Sequence, residues 1–115
     1  MITKGIRGAI TVDNNSEDAL KDATLLLLNE MVKQNNINIS NISHVIFTTT
    51  DDLTKVFPAK FARIDMGWRD VAMMCYQEMN VENALKMCLR VMIVYNCNDD
   101  FVPHFVYLKG AKNLR

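Results

Sequence analysis

The chain has 115 residues, 50% of them hydrophobic and 23% charged, which is typical of one soluble globular domain spanning 1–115. Lysine plus arginine number 13, as do aspartate plus glutamate, so no overall basic field would recruit nucleic acid. No apolar run approaches the ~20 residues of a membrane span. The N-terminus also lacks the residue order of a signal peptide, so we expect a cytoplasmic protein. The three cysteines show no paired CxxC spacing, which predicts reduced thiols and argues against a zinc site.

The first third of the chain predicts a strand followed by a long helix. In residues 2–12, Ile6 and Ile10 share one parity with Val12, so that face is expected to meet the core and Arg7 to lie on the opposite face. Residues 13–15 break the strand. Ser16 can cap a helix that runs to about residue 34, with two acidic residues in its first turn that suit the helix dipole. The broad apolar stripe of this helix predicts packing on a sheet.

The remaining residues predict four more strands and short helical segments. The strands are expected at 44–48, 71–75, 89–95 and 105–108. A short helix is expected from Pro58 to a C-terminal cap at Gly67. We also expect a helical turn at 81–87 and a loosely held tail at 109–115.

These elements predict an α+β fold in which a five-stranded mixed sheet packs on one long helix plus short helical turns. One helix cannot cover both faces of such a sheet, so the face with Arg7 would stay open unless copies of the chain pack together. A homo-oligomer with ligand sites where subunits meet is therefore expected.

Two arginines stand inside apolar strand-like runs, Arg7 in Lys-Gly-Ile-Arg-Gly-Ala and Arg90 in Cys-Leu-Arg-Val-Met. A guanidinium keeps its charge, so its burial requires a carboxylate partner or an anionic ligand. The neighbouring Gly5 and Gly8 favour the ligand, because glycine in a strand often marks a close approach. The first hypothesis is an anion pocket.

Glu78 and Tyr107 add a carboxylate acceptor and a phenol donor to these cations. The alternatives are that Glu78 forms a structural ion pair with one arginine and that Tyr107 is a core ring with its hydroxyl satisfied. Strand parity would place Cys75 and Glu78 on opposite faces, so both can line one pocket only if the strand ends or bulges between them.

Several segments together resemble the monofunctional AroH class of chorismate mutase, from about residue 3 to the end of the chain. They are Gly-Ile-Arg-Gly-Ala at 5–9, Val-Phe-Pro-Ala-Lys at 56–60 followed by Arg63 and Gly67-Trp68, Cys75 with Gln-Glu-Met at 77–79, Leu-Arg-Val-Met at 89–92, and Val-Tyr-Leu at 106–108. No single segment is diagnostic, but their joint order and spacing are highly specific. The resemblance implies a homotrimer with a pseudo-α/β-barrel core and active sites between neighbouring subunits.

The resemblance also implies the reaction, an intramolecular [3,3] (Claisen) rearrangement of chorismate to prephenate in phenylalanine and tyrosine biosynthesis. It needs no cofactor, no metal and no covalent intermediate. Arg90 would donate to the ether oxygen as the C–O bond breaks, Arg7 would hold a carboxylate, and Glu78 would accept from the ring hydroxyl, as the catalytic set. The implied substrate-binding residues are Arg7, Phe57, Ala59, Lys60, Arg63, Met73, Met74, Cys75, Glu78, Arg90, Tyr107 and Leu114.

Individual roles follow from the same resemblance. Tyr107 would donate a hydrogen bond to a carboxylate, and Phe57 would form an apolar wall beside the Ala59 main chain. Lys60 and Arg63 would line the entrance and attract the dianion, although a solvated helix face explains this pair equally well.

Three features depart from the usual family pattern: Met74 before the cysteine, His104-Phe105 before the last strand, and the early end at Arg115. Two other functions stay open. One is a non-catalytic trimeric module that binds small metabolites between subunits, and the other is a small trimeric hydrolase acting on imines or enamines.

Overall fold

A computed structural model describes residues 1–114. Its main elements are β1 (Ile2–Thr11), α1 (Glu17–Asn35), β2 (Ile42–Thr49), α2 (Ala59–Ile64), β3 (Ala72–Gln77), β4 (Cys88–Cys97) and β5 (Val106–Leu108). Two 3-10 turns, Ile39–Asn41 and Lys109–Ala111, precede β2 and follow β5. Of the helices within 1–114, none has the length and apolar content to cross a lipid bilayer.

The five strands form one mixed sheet in the order β3-β2-β4-β1-β5. Strand β4 pairs antiparallel with both β1 and β2. The outer pairs β1–β5 and β2–β3 are parallel, and α2 lies in the connection from β2 to β3, as a parallel pair requires a crossover. The expected α+β fold is confirmed.

Helix α1 begins and ends with recognisable caps. The Ser16 side chain accepts a hydrogen bond from the Ala19 N–H at 3.1 Å. At the other end Asn36 adopts a left-handed conformation (φ 50°), and the Ile37 N–H donates to the Val32 carbonyl at 3.1 Å. This 6→1 bond is the Schellman pattern, which satisfies carbonyls that the helix end would leave free.

The core lies between α1 and one face of the sheet. Ile6 and Ile10 of β1 are fully buried there, together with Leu27 and Met31 of α1. Alternation therefore works as predicted, since Arg7 lies on the face away from α1 and lines a cleft there. We call this surface, which α1 does not cover, the open face.

The glycine interpretation was wrong for Gly8. A Cβ built on Gly8 would lie 2.4 Å from Met31 Sδ, so this glycine permits close packing of α1 on β1. A Cβ on Gly5 would lie 2.9 Å from Met92 Sδ on the open face. The closest neighbours of both glycines on their Cβ sides are therefore methionine side chains of the chain itself, while Gly8 also lines the cleft that contains Arg7.

The helical turn predicted at 81–87 was also wrong. This segment is a loop with a turn closed by the Ala84 N–H donating to the Val81 carbonyl at 3.2 Å. Asn83 and Met87 have φ values of 62° and 52°, outside the right-handed helical region. The Met87 N–H also binds the Asp52 carboxylate, so it is not available for a helix.

The C-terminal end of α2 and the C-terminal tail of the chain differ from expectation. Helix α2 ends at Ile64 with Asp65 as its cap, and Gly67 (φ 72°) lies two residues further on. The tail expected to be loose is docked over its described part, because Ala111 is fully buried and the Gly110 N–H donates to Thr11 Oγ1 at 2.9 Å. Arg115 lies outside the described residues.

Candidate active site

Four predicted site residues meet on the open face. Arg7, Glu78, Arg90 and Tyr107 line one cleft of about 290 Å³. The cleft lies over the strands at the centre of the sheet, so the backbone hydrogen-bond ladder fixes its floor. We call these residues the arginine cluster.

Strand register explains how the cluster forms. Arg90 of β4 is paired with Thr48 of β2 on one side and with Ala9 of β1 on the other. Ala9 is in turn paired with Tyr107 of β5. Residues paired in register share a face, so four strands contribute one row of side chains. The small Ala9 leaves room between the guanidinium of Arg90 and the ring of Tyr107.

Glu78 reaches the row from the end of β3. The strand stops at Gln77, and the Glu78 N–H donates to the Thr49 carbonyl at 2.9 Å. Its carboxylate Oε2 lies 3.2 Å from Arg90 Nε and accepts from Thr48 Oγ1 at 3.3 Å. The structural ion pair foreseen as an alternative is therefore present, and it lies inside the cleft.

This ion pair leaves Arg90 incompletely satisfied. Its Nε is inaccessible to solvent and has no hydrogen-bond partner within residues 1–114, although Glu78 is close. The Glu78 oxygen is within ion-pair distance of Nε at 3.2 Å, but it lies off the direction of the Nε–H bond, and a hydrogen bond requires both a short distance and alignment. A buried donor without an acceptor is costly, so the site gains when an acceptor enters the cleft.

Arg7 adds a second fixed positive charge. It is half-buried, and the ion pairs formed among residues 1–114 do not include it. Glu78 can neutralise only one guanidinium, so the cleft carries an excess of positive charge suited to an anion.

A second group of predicted residues lies elsewhere on the chain. Its members line two clefts beside α2 and the β3 edge, of about 400 Å³ and 540 Å³. Met73 and Cys75 occur at positions of β3 that pack toward the α1-side core, on the side opposite to the arginine cluster. The members of this edge group are Phe57, Ala59, Lys60, Arg63, Met73 and Cys75.

Within the edge group, Phe57 is 73% exposed and Lys60 Nζ forms a salt bridge with Glu17 Oε1 at 3.0 Å. Arg63 is exposed in the last turn of α2. A largely exposed aromatic ring that shares a cleft with these two basic side chains is uncommon on a surface that only meets water, and it suits contact with a ligand or a partner.

The two remaining predicted residues lie near the open face. Met74 is 59% exposed, and its Sδ accepts from the Tyr76 hydroxyl at 3.2 Å. Leu114 is half-buried against a small cluster that contains Ala9 and Cys88. The described part of the tail therefore lies next to Tyr107 of the arginine cluster, which packs against the same small cluster.

The thiols near these groups are kept neutral. Burial raises the pKa of Cys75, partly opposed by a hydrogen bond with the Ala59 main chain. Burial also raises the pKa of Cys88, and the Arg90 guanidinium opposes this shift. Neutral thiols are poor nucleophiles, so neither cysteine is set up for covalent chemistry.

Sequence reasoning missed Thr48. Its hydroxyl donates a hydrogen bond to Glu78, yet from the sequence this residue was interpreted only as the end of a strand. Its polarity among Val45, Ile46 and Phe47 was a signal, but its partner became visible only when the register of β2 against β4 was known.

The fold and site define a small α+β domain whose cleft combines two guanidinium groups, a carboxylate and a phenol. Within residues 1–114 no cluster of His, Cys, Asp or Glu side chains could hold a metal ion. Residues 3–115 match the family model described as chorismate mutase type I. The chain belongs to the type I chorismate mutase family.

The similarity to individual chorismate mutases extends over nearly the whole length of both chains. The chain is 37% identical to chorismate mutase AroH of Bacillus subtilis (strain 168), covering 100% of this chain and 91% of the relative. It is 39% identical to chorismate mutase AroH of Thermus thermophilus, covering 99% and 94%. The solved structure of a chorismate mutase from Clostridium thermocellum superposes with a TM-score of 0.90 at 43% identity, covering 95% of this chain and 97% of that one.

Proposed function

We propose that the protein converts chorismate to prephenate by a cofactor-free intramolecular [3,3] rearrangement, with the arginine cluster as the catalytic centre. The observation that carries this proposal is that one cleft brings together Arg90, whose buried Nε has no hydrogen-bond partner within residues 1–114, and Arg7, which joins no ion pair within the same residues. Membership of the chorismate mutase family supports it. The substrate is a dicarboxylate, which matches the excess positive charge of the cleft.

Arg90 is the group that favours the transition state. As the ether C–O bond breaks, negative charge grows on the ether oxygen, and a donor fixed at that point stabilises the transition state more than the bound substrate. The Nε is already desolvated and makes no hydrogen bond within residues 1–114, so no such bond has to be broken before it meets this oxygen. The remaining nitrogens of the guanidinium can hold a carboxylate.

The other members of the cluster hold the substrate in its reactive shape. Arg7 pairs with a carboxylate, Tyr107 donates a hydrogen bond to one, and Glu78 accepts from the ring hydroxyl. Holding the enolpyruvyl arm over the ring removes conformational freedom before the reaction starts. A unimolecular rearrangement needs no general base, which fits a cleft without histidine.

We also propose that the active protein is a homotrimer, of pseudo-α/β-barrel type, in which the edge group of one subunit completes the arginine cluster of the next. Two features support this arrangement. The open face carries half-buried apolar residues such as Ile46, Met92 and Val94 that no helix covers. The edge group and the cluster lie on different sides of β3 in one protomer, so a second chain is needed to join them.

In that assembly Phe57 walls the cleft beside Ala59, while Met73, Met74 and Cys75 line it from β3. Lys60 and Arg63 attract the dianion at the entrance, and Leu114 borders it from the tail. The three free cysteines suit a reducing compartment, and we place the enzyme in the cytoplasm.

The direct test is an absorbance assay that follows loss of chorismate by purified protein, with a chelator present and no nucleotide added. Turnover to prephenate under these conditions supports the mutase. Saturable binding of chorismate without turnover would identify a metabolite-binding module, and turnover of imines or enamines alone would identify the hydrolase.

Complementation tests the shared site. Arg90→Gln and Phe57→Asp are each expected to abolish most activity for different reasons. If the two residues reach one site from different subunits, unfolding the two variants together and refolding the mixture restores some intact sites and partial activity. A mixture as inactive as its components would refute the intersubunit site.

A further inference from the structure

A hydrogen-bonded group of side chains holds the start of β4. The Thr50 Oγ1 hydroxyl accepts from the Cys88 N–H at 3.0 Å and donates to Asp52 Oδ1 at 2.5 Å. The Asp52 carboxylate accepts from the Met87 N–H, with its two oxygens 3.2 Å and 3.0 Å from the nitrogen. Two side chains of the segment after β2 therefore bind two successive main-chain N–H groups.

The main chain at this point needs such support. Met87 has a φ of 52°, a left-handed conformation that costs free energy in a residue with a long side chain. Its carbonyl accepts from the Val12 N–H at 2.7 Å, and the Cys88 carbonyl accepts from the Thr50 N–H at 3.1 Å. Hydrogen bonds from both sides hold the residue in this conformation.

The same segment positions both charged members of the ion pair. Cys88 precedes Arg90 by two residues in β4, and Thr48 is paired with Arg90 in register. The Glu78 N–H is anchored on the Thr49 carbonyl. A shift of residues 48–52 would therefore move the backbone of Arg90 and that of Glu78 relative to each other.

We propose that Thr50 and Asp52 are positioning residues for the reaction: by clamping the N–H groups of Met87 and Cys88 they fix the Arg90 guanidinium relative to Glu78. Neither residue lines the cleft of the arginine cluster. Thr50 borders the larger edge cleft, but its hydroxyl is engaged with Asp52 and with the Cys88 N–H, so the two residues act through the backbone. This inference rests on the proposed function, because it assumes that Arg90 acts in the chemical step.

The informative variants distinguish the effect of losing the hydroxyl or the carboxylate from the effect of changing side-chain size. Thr50→Val keeps the shape and removes both hydrogen bonds of the hydroxyl, whereas Thr50→Ser keeps the hydroxyl. Asp52→Ala removes the carboxylate, whereas Asp52→Asn keeps one oxygen to accept from Met87. Thr24→Val is the matched control, since the buried Thr24 hydroxyl donates to the Leu20 carbonyl inside α1, remote from the cleft.

A displacement of a catalytic group by about 1 Å can cost roughly a hundredfold in rate. We expect Thr50→Val and Asp52→Ala to lower kcat by about tenfold to a hundredfold, with KM changed by less than about threefold. Thr50→Ser and Asp52→Asn should recover most of the loss but keep a small, measurable deficit in kcat relative to wild type, because serine holds the hydroxyl less firmly and asparagine lacks the carboxylate charge. Thr24→Val should lower the melting temperature and leave kcat unchanged.

The NMR resonance of the Arg90 Nε–H gives a second measurement. A substitution that only lowers the stability of the fold would not shift this resonance. The Arg90 Nε–H is buried, so its proton should exchange slowly, and its resonance can be assigned by its loss in Arg90→Lys. It should shift in Thr50→Val and stay in place in Thr24→Val. If Thr50→Val does not fold, Thr50→Ser and Asp52→Asn are compared with wild type in the same assay, and a graded loss of kcat is expected.

Wild-type kcat in folded Thr50→Val or Asp52→Ala, with an unmoved Arg90 resonance, would overturn the inference while leaving the mutase function intact. So would unaltered kcat in both conservative variants, should the others not fold. A wild-type protein without mutase activity would instead overturn the proposed function, so the two failures are distinguishable.

Discussion

Replacement of Arg90 by glutamine tests the electrostatic mechanism most directly. Glutamine keeps a polar side chain that can donate a hydrogen bond but removes the permanent charge. Arg90 is about one-third exposed as a side chain, and Glu78 is 26% exposed, so water screens this pair only in part. The variant also leaves the Glu78 carboxylate without its cationic neighbour, so its negative charge repels the dianionic substrate more strongly.

The expected loss follows from the geometry of the cleft. Two unit charges 4 Å apart interact by about 4 kcal/mol at an effective dielectric constant of about 20. A breaking ether oxygen carries only part of a charge, so its stabilisation by Arg90 is roughly 2–3 kcal/mol, close to the cost of losing one preorganised oxyanion donor. At about 1.4 kcal/mol for each factor of ten, kcat should fall by roughly a hundredfold.

The assay is steady-state loss of chorismate, with kcat and KM separated, because an interaction that strengthens in the transition state appears mainly in kcat. Lys33→Gln is the control for charge, since it removes one positive charge from the exposed last turn of α1. Its kcat should equal that of wild type. A folded Arg90→Gln variant with comparable kcat, or with a loss confined to KM, would refute the role of Arg90 in the chemical step.

Three further predictions concern side chains around the cleft and the core. Thr48→Val removes the hydroxyl that bonds Glu78, and should lower kcat/KM by about fivefold, since a hydrogen bond contributes about 1 kcal/mol. Thr48→Ser should recover it, and an equal loss in both variants would contradict this role. Burial raises the pKa of Cys88 above its ordinary value, so its contribution to stability is fully present below the unfolded pKa and is lost as pH rises through the folded pKa. Urea unfolding should show a decline in stability above about pH 9, shallower in Cys88→Ala than in wild type, and identical slopes would contradict it. Gly8→Ala should lower the free energy of unfolding by about 1–3 kcal/mol, because its Cβ would meet Met31 Sδ at 2.4 Å. Unchanged stability in the same urea titration would show that α1 can move away.

Sequence patterns predicted the faces of the elements well because burial follows a simple period. Alternation in β1 separated Ile6 and Ile10 from Arg7, and the fully buried pair now packs on α1. The helix boundary at Ser16 was readable because a cap is a local interaction between residues three apart. The loop 81–87 was misread for the opposite reason, since its conformation depends on Asp52, which lies more than thirty residues away.

The arginine cluster shows the same division between local and long-range information. Each of its four members could be nominated from residue type and resemblance, and the open face of Arg7 could be inferred from parity. Parity alone cannot say that Thr48, Arg90, Ala9 and Tyr107 form one row, because that depends on how four strands are aligned.

The two interpretations of Glu78, structural partner or ligand acceptor, are compatible once the geometry is known. Its carboxylate lies 3.2 Å from Arg90 Nε and stabilises the charge of the guanidinium, yet the Nε–H has no hydrogen-bond acceptor within residues 1–114. A perfectly satisfied ion pair would have to be broken before Arg90 could serve a ligand, at a cost of the kind seen for buried pairs. An imperfect pair keeps the guanidinium in place and leaves its donor available. Thr48, Thr50 and Asp52 matter for this reason: they set how far the pair falls short of a hydrogen bond, and with it the readiness of Arg90 to meet charge that appears only in the transition state.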